Sequence, residues 1–165
     1  MLTFRKAKEL EVQKIFDFFK DAIEEMEKQG IMQWDDLYPT QEDLEQDEKK
    51  NELYIGEIDG KMCCAFVLNQ EIDEQYANGK WQYPDSSYFI IHRLCVNPEF
   101  QHQGIAKRTM QYIEKVVAEM GIESIRLDAY SLNPYALRLY EGLGYEIVGQ
   151  AHWRKGMFYL MEKKL

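Results

Sequence analysis

Val12, Ile15, Phe16, Phe19, Ala22, Ile23 and Met26 recur at spacings of three and four, which predicts an amphipathic helix that Gly30 can stop. Leu2 to Ala7 reads as a short strand before it. After a loop over 33–39, Thr40 opens a second helix through Lys50, with Asp43 placed to complete a capping box. Glu52 to Ile58 and Lys61 to Asn69 read as strands joined by Asp59-Gly60, a strong hairpin signal. Residues 70–87 are polar and irregular, broken by Asn78-Gly79 and Pro84.

Tyr88 to Val96 forms a further strand, and a glycine-containing loop leads straight into a helix. That helix carries Ala106, Met110, Ile113, Val117 and Met120 on one stripe and stops at Gly121. Glu123 to Tyr130 alternates as a strand. Asn133 and Pro134 then start a short helix that runs to Leu143 and ends at Gly144. Tyr145–Gly149 and Met157–Lys163 close the chain as two strands. The order β-α-α-β-β-β-α-β-α-β-β predicts an α/β protein, more closely an α+β mixed sheet with helices on its faces. No repeat or linker interrupts it, so residues 1–165 read as one domain.

Composition narrows the classes of function. A hydrophobic content of 45% at this length describes a folded core, and no apolar run reaches the roughly 20 residues of a membrane span. The N-terminus lacks the apolar segment of a signal peptide. Cys63, Cys64 and Cys95 are odd in number and lack C-x-x-C spacing, so they read as buried thiols of a reducing, cytoplasmic compartment. Residues 1–60 carry 17 acidic and 8 basic side chains and residues 61–165 carry 12 of each, so the whole net charge of −9 lies in the first third. That balance argues against nucleic acid as a partner and suits a cationic substrate such as an amine.

The candidate chemistry begins where the strand meets the loop. Unpaired backbone N–H groups at a helix N-terminus bind anions, Gly104 allows close approach, and Lys107 and Arg108 add positive charge. Neither G-x-x-x-x-G-K-[ST] nor G-x-G-x-x-G is present. Gln101-His102-Gln103-Gly104-Ile105-Ala106 instead resembles the Q/R-x-x-G-x-G/A motif of the GCN5-related N-acetyltransferases. Asn133-Pro134-x-Ala136-x-x-Leu139-Tyr140-x-x-Leu143-Gly144-Tyr145 resembles that family's N-x-x-A-x-x-x-Y-x-x-x-G-F block. The element order matches the family over essentially the whole chain.

The resemblance implies the acyl-CoA N-acyltransferase fold and transfer of an acetyl group from acetyl-CoA, as co-substrate, to a primary amine of a small molecule or a protein. By the family pattern, Leu94, Cys95 and Val96 would pair with the pantetheine arm. Gln101, His102, Gln103, Gly104, Ile105, Ala106 and Lys107 would hold the pyrophosphate, and Asn133 would reach the cofactor. Tyr140 aligns with a tyrosine near the cofactor sulfur, where a phenol can protonate a departing thiolate. Trp34 and Tyr38 would flank the acceptor pocket, or pack their loop onto the core.

For the base, His92 lies two residues before Leu94 and so shares its face in a regular strand. Glu71 is the second candidate. The three histidines lack metal-ligand spacing, so no metal is expected. Cys95 reads as a buried thiol rather than a nucleophile. The alternatives are a non-catalytic acyl-CoA-binding regulatory module and an enzyme using a longer acyl group. No membrane partner is expected, and a homodimer is compatible with the sequence.

Overall fold

A computed structural model describes residues 1–165. Seven strands of a mixed sheet and four helices follow one another in the expected order. They are β1 (Thr3–Lys6), α1 (Val12–Lys28), α2 (Gln41–Lys49), β2 (Leu53–Ile58), β3 (Lys61–Asn69), β4 (Tyr88–Val96), α3 (Ile105–Glu119), β5 (Ser124–Tyr130), α4 (Pro134–Gly142), β6 (Glu146–Trp153) and β7 (Gly156–Lys164). Two compact units share them. One comprises residues 1–68 and 93–109, the other residues 69–92 and 110–165, so the boundary falls inside β4 and inside α3.

In the first unit, β1, β2 and β3 pair antiparallel. Asp59 and Gly60 take φ of 51° and 76°, the left-handed pair that a tight hairpin turn requires. The stripe read from the sequence becomes the buried face of α1. Val12, Ile15, Phe19, Ala22 and Ile23 pack in one cluster with Leu44, Leu53, Ile55, Ala65, Val67 and Cys95. Burying each large side chain there contributes roughly 1.5–3 kcal/mol. Thr40 accepts the Asp43 N–H at 3.1 Å while Asp43 Oδ2 accepts the Thr40 N–H at 2.8 Å, which completes the capping box of α2.

In the second unit, the start of β4 runs parallel to β5, with Tyr88, Phe89 and Ile90 opposite Ser124, Ile125 and Arg126. β7 pairs antiparallel with both β5 and β6. The polar stretch 70–87 is better ordered than its composition suggests. It holds a short 3-10 turn at Glu74–Asn78. The buried Glu162 carboxylate accepts the N–H groups of Gln82 and Tyr83 at 2.8 and 3.3 Å. The Arg126 guanidinium lies 4.4 Å from the centre of the Trp81 ring and 4.1 Å from that of Tyr88. Aromatic rings and one buried acid replace the missing apolar pattern.

One expected boundary fails. The sixth strand does not stop at Gly149 but continues to Trp153. Gly149 marks a bulge and a close approach: a Cβ there would lie 2.8 Å from Gly79 Cα and 2.9 Å from the Asn78 carbonyl oxygen. A glycine inside a strand marks such a contact as readily as an end.

Candidate functional site

The first unit carries the loop that the sequence marks as an anion cradle. Asn97 fastens its start to β3: its N–H donates to the Cys63 carbonyl at 2.9 Å and its Nδ2 to the Met62 carbonyl at 3.0 Å. Asn97 Oδ1 also accepts the Glu99 N–H at 3.1 Å, which shapes the turn Pro98–Phe100. Beyond it, His102 and Gly104 take φ of 65° and 71°, and α3 begins at Ile105.

The first helical hydrogen bond is donated by Arg108 N to the Gly104 carbonyl at 3.1 Å. The six amides from His102 to Lys107 donate to no acceptor in the chain. Successive undonated N–H groups at a helix start make a concavity of positive potential, which the exposed Lys107 strengthens. A Cβ built on Gly104 would meet nothing within 4 Å, so this glycine is demanded by its backbone angle and the space beside it is open. Below the loop, Ile105 packs with Cys63 and Cys64, and Thr109 Oγ1 donates to the Ile105 carbonyl at 2.7 Å. The first turn of α3 is therefore packed against β3.

Leu94, Cys95 and Val96 precede this loop on β4. The Cys95 side chain is in the core, and burial pushes its thiol up, so it stays protonated and inert. Arg93, immediately before them, takes φ of 52° inside the strand. That conformation interrupts the two-residue period, so His92 and Leu94 do not share a face by simple alternation as the sequence suggests. No local pattern in Ile-His-Arg-Leu announces such a residue. Arg93 Nη1 donates to Asp47 Oδ2 at 2.7 Å, and its guanidinium carbon lies 5.2 Å from the centre of the Tyr38 ring.

The two aromatic residues of the loop between α1 and α2 differ in exposure. Trp34 is 9% exposed and stacks on Phe19 with ring centres 5.6 Å apart, so its indole is part of the core. Tyr38 is 41% exposed and is the member able to face a ligand.

The second unit holds the proton-transfer candidates. His92 and Glu71, alternatives in the sequence, meet at one atom. Asn69 Oδ1 lies 2.9 Å from His92 Nε2 and accepts the Glu71 N–H at 3.0 Å. Asn133 caps α4 by accepting the Ala136 N–H at 3.1 Å through Oδ1. Tyr140 is 9% exposed and stands edge-on to Tyr145, ring centres 6.0 Å apart. Burial, with a smaller contribution from the Asp128 charge, pushes its phenol up. It is therefore protonated at neutral pH, the state a proton donor needs.

No functionally curated protein matches the chain. A GNAT-family acetyltransferase of Streptococcus agalactiae superposes with a TM-score of 0.85 at 22% identity, covering 99% of this chain and 95% of its own. A GNAT-family acetyltransferase of Listeria monocytogenes gives 0.80 at 23%, with the same coverage. The PaiA N-acetyltransferase of Thermoplasma acidophilum, solved in complex with coenzyme A, gives 0.70 at 17% over 100% of this chain and 99% of its own. At these identities the superpositions speak for the fold. The sequence itself matches the acetyltransferase (GNAT) family over residues 15–145, which takes in both motifs and the loop with its six undonated amides. The chain belongs to the GNAT family of acetyltransferases.

Proposed function

We propose that this protein transfers the acetyl group of acetyl-CoA to a primary amine carried by a small molecule or a protein. The observation that carries this reading is the run of six amides from His102 to Lys107, at a first helical turn packed against β3 and beside open space at Gly104. A pyrophosphate is the anion such a cradle suits, because it can accept several N–H bonds at once and its charge is favoured at a helix N-terminus. In this reading Gln101 to Lys107 bind the pyrophosphate. Leu94, Cys95 and Val96 offer backbone groups to the pantetheine arm and polarise the thioester carbonyl, and Asn133 reaches the cofactor through its side-chain amide.

Acetyl transfer forms one N–C bond and breaks one C–S bond, so the protein has two proton tasks. His92 removes the proton from the attacking ammonium, or Glu71 does so, either of them directly or through water. Tyr140 gives its phenolic proton to the departing sulfur. Tyr38 borders the acceptor. The acidic first third of the chain, with 17 acidic and 8 basic side chains in residues 1–60, attracts a cationic amine.

The test is turnover. Purified protein with acetyl-CoA and a panel of polyamines, amino sugars and peptide N-termini should release free thiol and yield one product heavier by an acetyl group. Binding of acetyl-CoA without turnover of any amine would support a non-catalytic acyl-CoA-binding module instead.

A further inference from the structure

We infer that Arg93 is a positioning residue for acyl transfer: clamped between Asp47 and Tyr38, it holds the left-handed kink of β4 that sets the direction of the Leu94–Val96 backbone. This deepens the proposed function and rests on its assignment of that backbone to the pantetheine arm and the thioester.

Two local penalties coincide at Arg93. It is a non-glycine residue in the left-handed region, in the middle of a strand, where side chains strongly favour extended backbone. Its Nε is also buried with no hydrogen-bond partner. Of the four non-glycine residues with positive φ, Asn51, Asp59 and His102 lie in turns or loops, and Arg93 alone interrupts a strand. Strain of this kind persists only where the surroundings over-determine it, and it concentrates at sites of function.

The surroundings at Arg93 do over-determine it. Asp47, 7% exposed in the last turn of α2, takes one guanidinium nitrogen at 2.7 Å. Tyr38 covers the guanidinium face at 5.2 Å. Both contacts are made by the side chain of the residue covalently attached to Leu94. A strand continued without the kink would carry the amides of Leu94 to Val96 in a different direction. The clamp also links the α1–α2 loop, through Tyr38, to that same backbone.

Three variants test this: Arg93→Val, which is strongly disfavoured at φ 52°; Arg93→Gly, which adopts that angle readily; and Asp47→Asn, which removes the counter-charge with little change of shape. Acetyl-CoA affinity by calorimetry, kcat/KM for acetyl-CoA and melting temperature are measured for each. Arg93→Val and Asp47→Asn should lower kcat/KM for acetyl-CoA about tenfold or more, since small misplacements of a reacting group are costly. Arg93→Gly should retain more activity than Arg93→Val even where its melting temperature is the lower of the two. Activity that merely tracks melting temperature across the three would overturn the inference, as would wild-type kinetics in all of them. If Arg93→Val fails to fold, Asp47→Asn against wild type decides. Wild-type protein that binds no acetyl-CoA would instead overturn the cofactor assignment, and the clamp with it.

Discussion

Asn69 fixes the tautomer of His92. Its Oδ1 accepts the Glu71 backbone N–H at 3.0 Å, which sets the orientation of the amide. The His92 Nε2, 2.9 Å from the same oxygen, must then be the N–H that donates to it. In the neutral imidazole the lone pair then lies on Nδ1, and Asn69 ties the His92 ring and the Glu71 backbone to one oxygen.

The first prediction separates His92 from Glu71. His92→Gln should lower kcat by about 10²-fold or more, the usual contribution of a positioned base, and remove the acidic limb of the pH–rate profile. Asn69→Leu should have a smaller effect of the same kind, because it frees the tautomer without removing the imidazole. Glu71→Gln should leave the limb in place. A profile that loses its acidic limb in Glu71→Gln and keeps it in His92→Gln would transfer the role to the glutamate.

Gly104 carries the second prediction. Its φ of 71° lies where an L side chain costs about 1–2 kcal/mol, while a Cβ would clash with nothing. Gly104→Ala should therefore fold with a modest loss of stability. Gly104→Glu should fold comparably and lose acetyl-CoA binding, because its carboxylate sits where the phosphates must. Thermal melts and calorimetry read the two effects separately. Unchanged affinity in Gly104→Glu would refute the assignment of this loop.

These two sites differ in how far the sequence revealed them. The Gly104 loop was legible because its strand, glycine and helix are local features, and four of the six undonated amides, Gly104 to Lys107, follow from a helix start. The Asn133 cap and the Asp59-Gly60 turn were legible for the same reason. The kink at Arg93 was not, because its causes, Asp47 and Tyr38, lie more than forty residues away in the chain and meet it only in the fold. The order in 70–87 was hidden likewise: Glu162 and Arg126 supply it from distant strands. Gly149 misled because a strand end and a backbone contact use the same residue.

Asp47 gives the third prediction, a pH dependence of stability. Burial pushes its carboxyl up to about 6 from an ordinary 3.8; Arg93 and Lys50 oppose the shift, and Glu52 and Asp43 add to it. The folded protein therefore holds this proton more tightly than the unfolded chain does. Between about pH 6 and pH 4 this residue favours the fold increasingly as pH falls, and above pH 6 its charge is a net cost. After allowance for solvent screening the swing is of order 1–2 kcal/mol. Asp47→Asn removes the titration, so the melting temperature of the variant relative to wild type should be highest near pH 7 and decline toward pH 4. A constant difference across that range would show that Asp47 does not titrate there.

The last prediction concerns Tyr140. Its phenol is buried, and burial holds the proton on it at every pH at which the enzyme would work. A weaker acid is a poorer donor, so the proton moves only as the C–S bond breaks and charge builds on the sulfur; a thiolate formed in the same buried surroundings is itself made more basic by desolvation. Tyr140→Phe keeps the ring and its edge-on contact with Tyr145, so stability should change little. kcat should fall by about 10²-fold while acetyl-CoA affinity holds, the pattern of an interaction made only in the transition state. The deficit should shrink for an acyl donor whose leaving group is already a weak base, such as an acetylated aryl thiol, because that group departs without a proton. Equal losses with both donors would mean that the hydroxyl positions the reactants rather than protonating the sulfur. A variant that keeps the wild-type rate, with chemistry shown to be rate-limiting, would leave Tyr140 as packing for α4 and assign the proton to water.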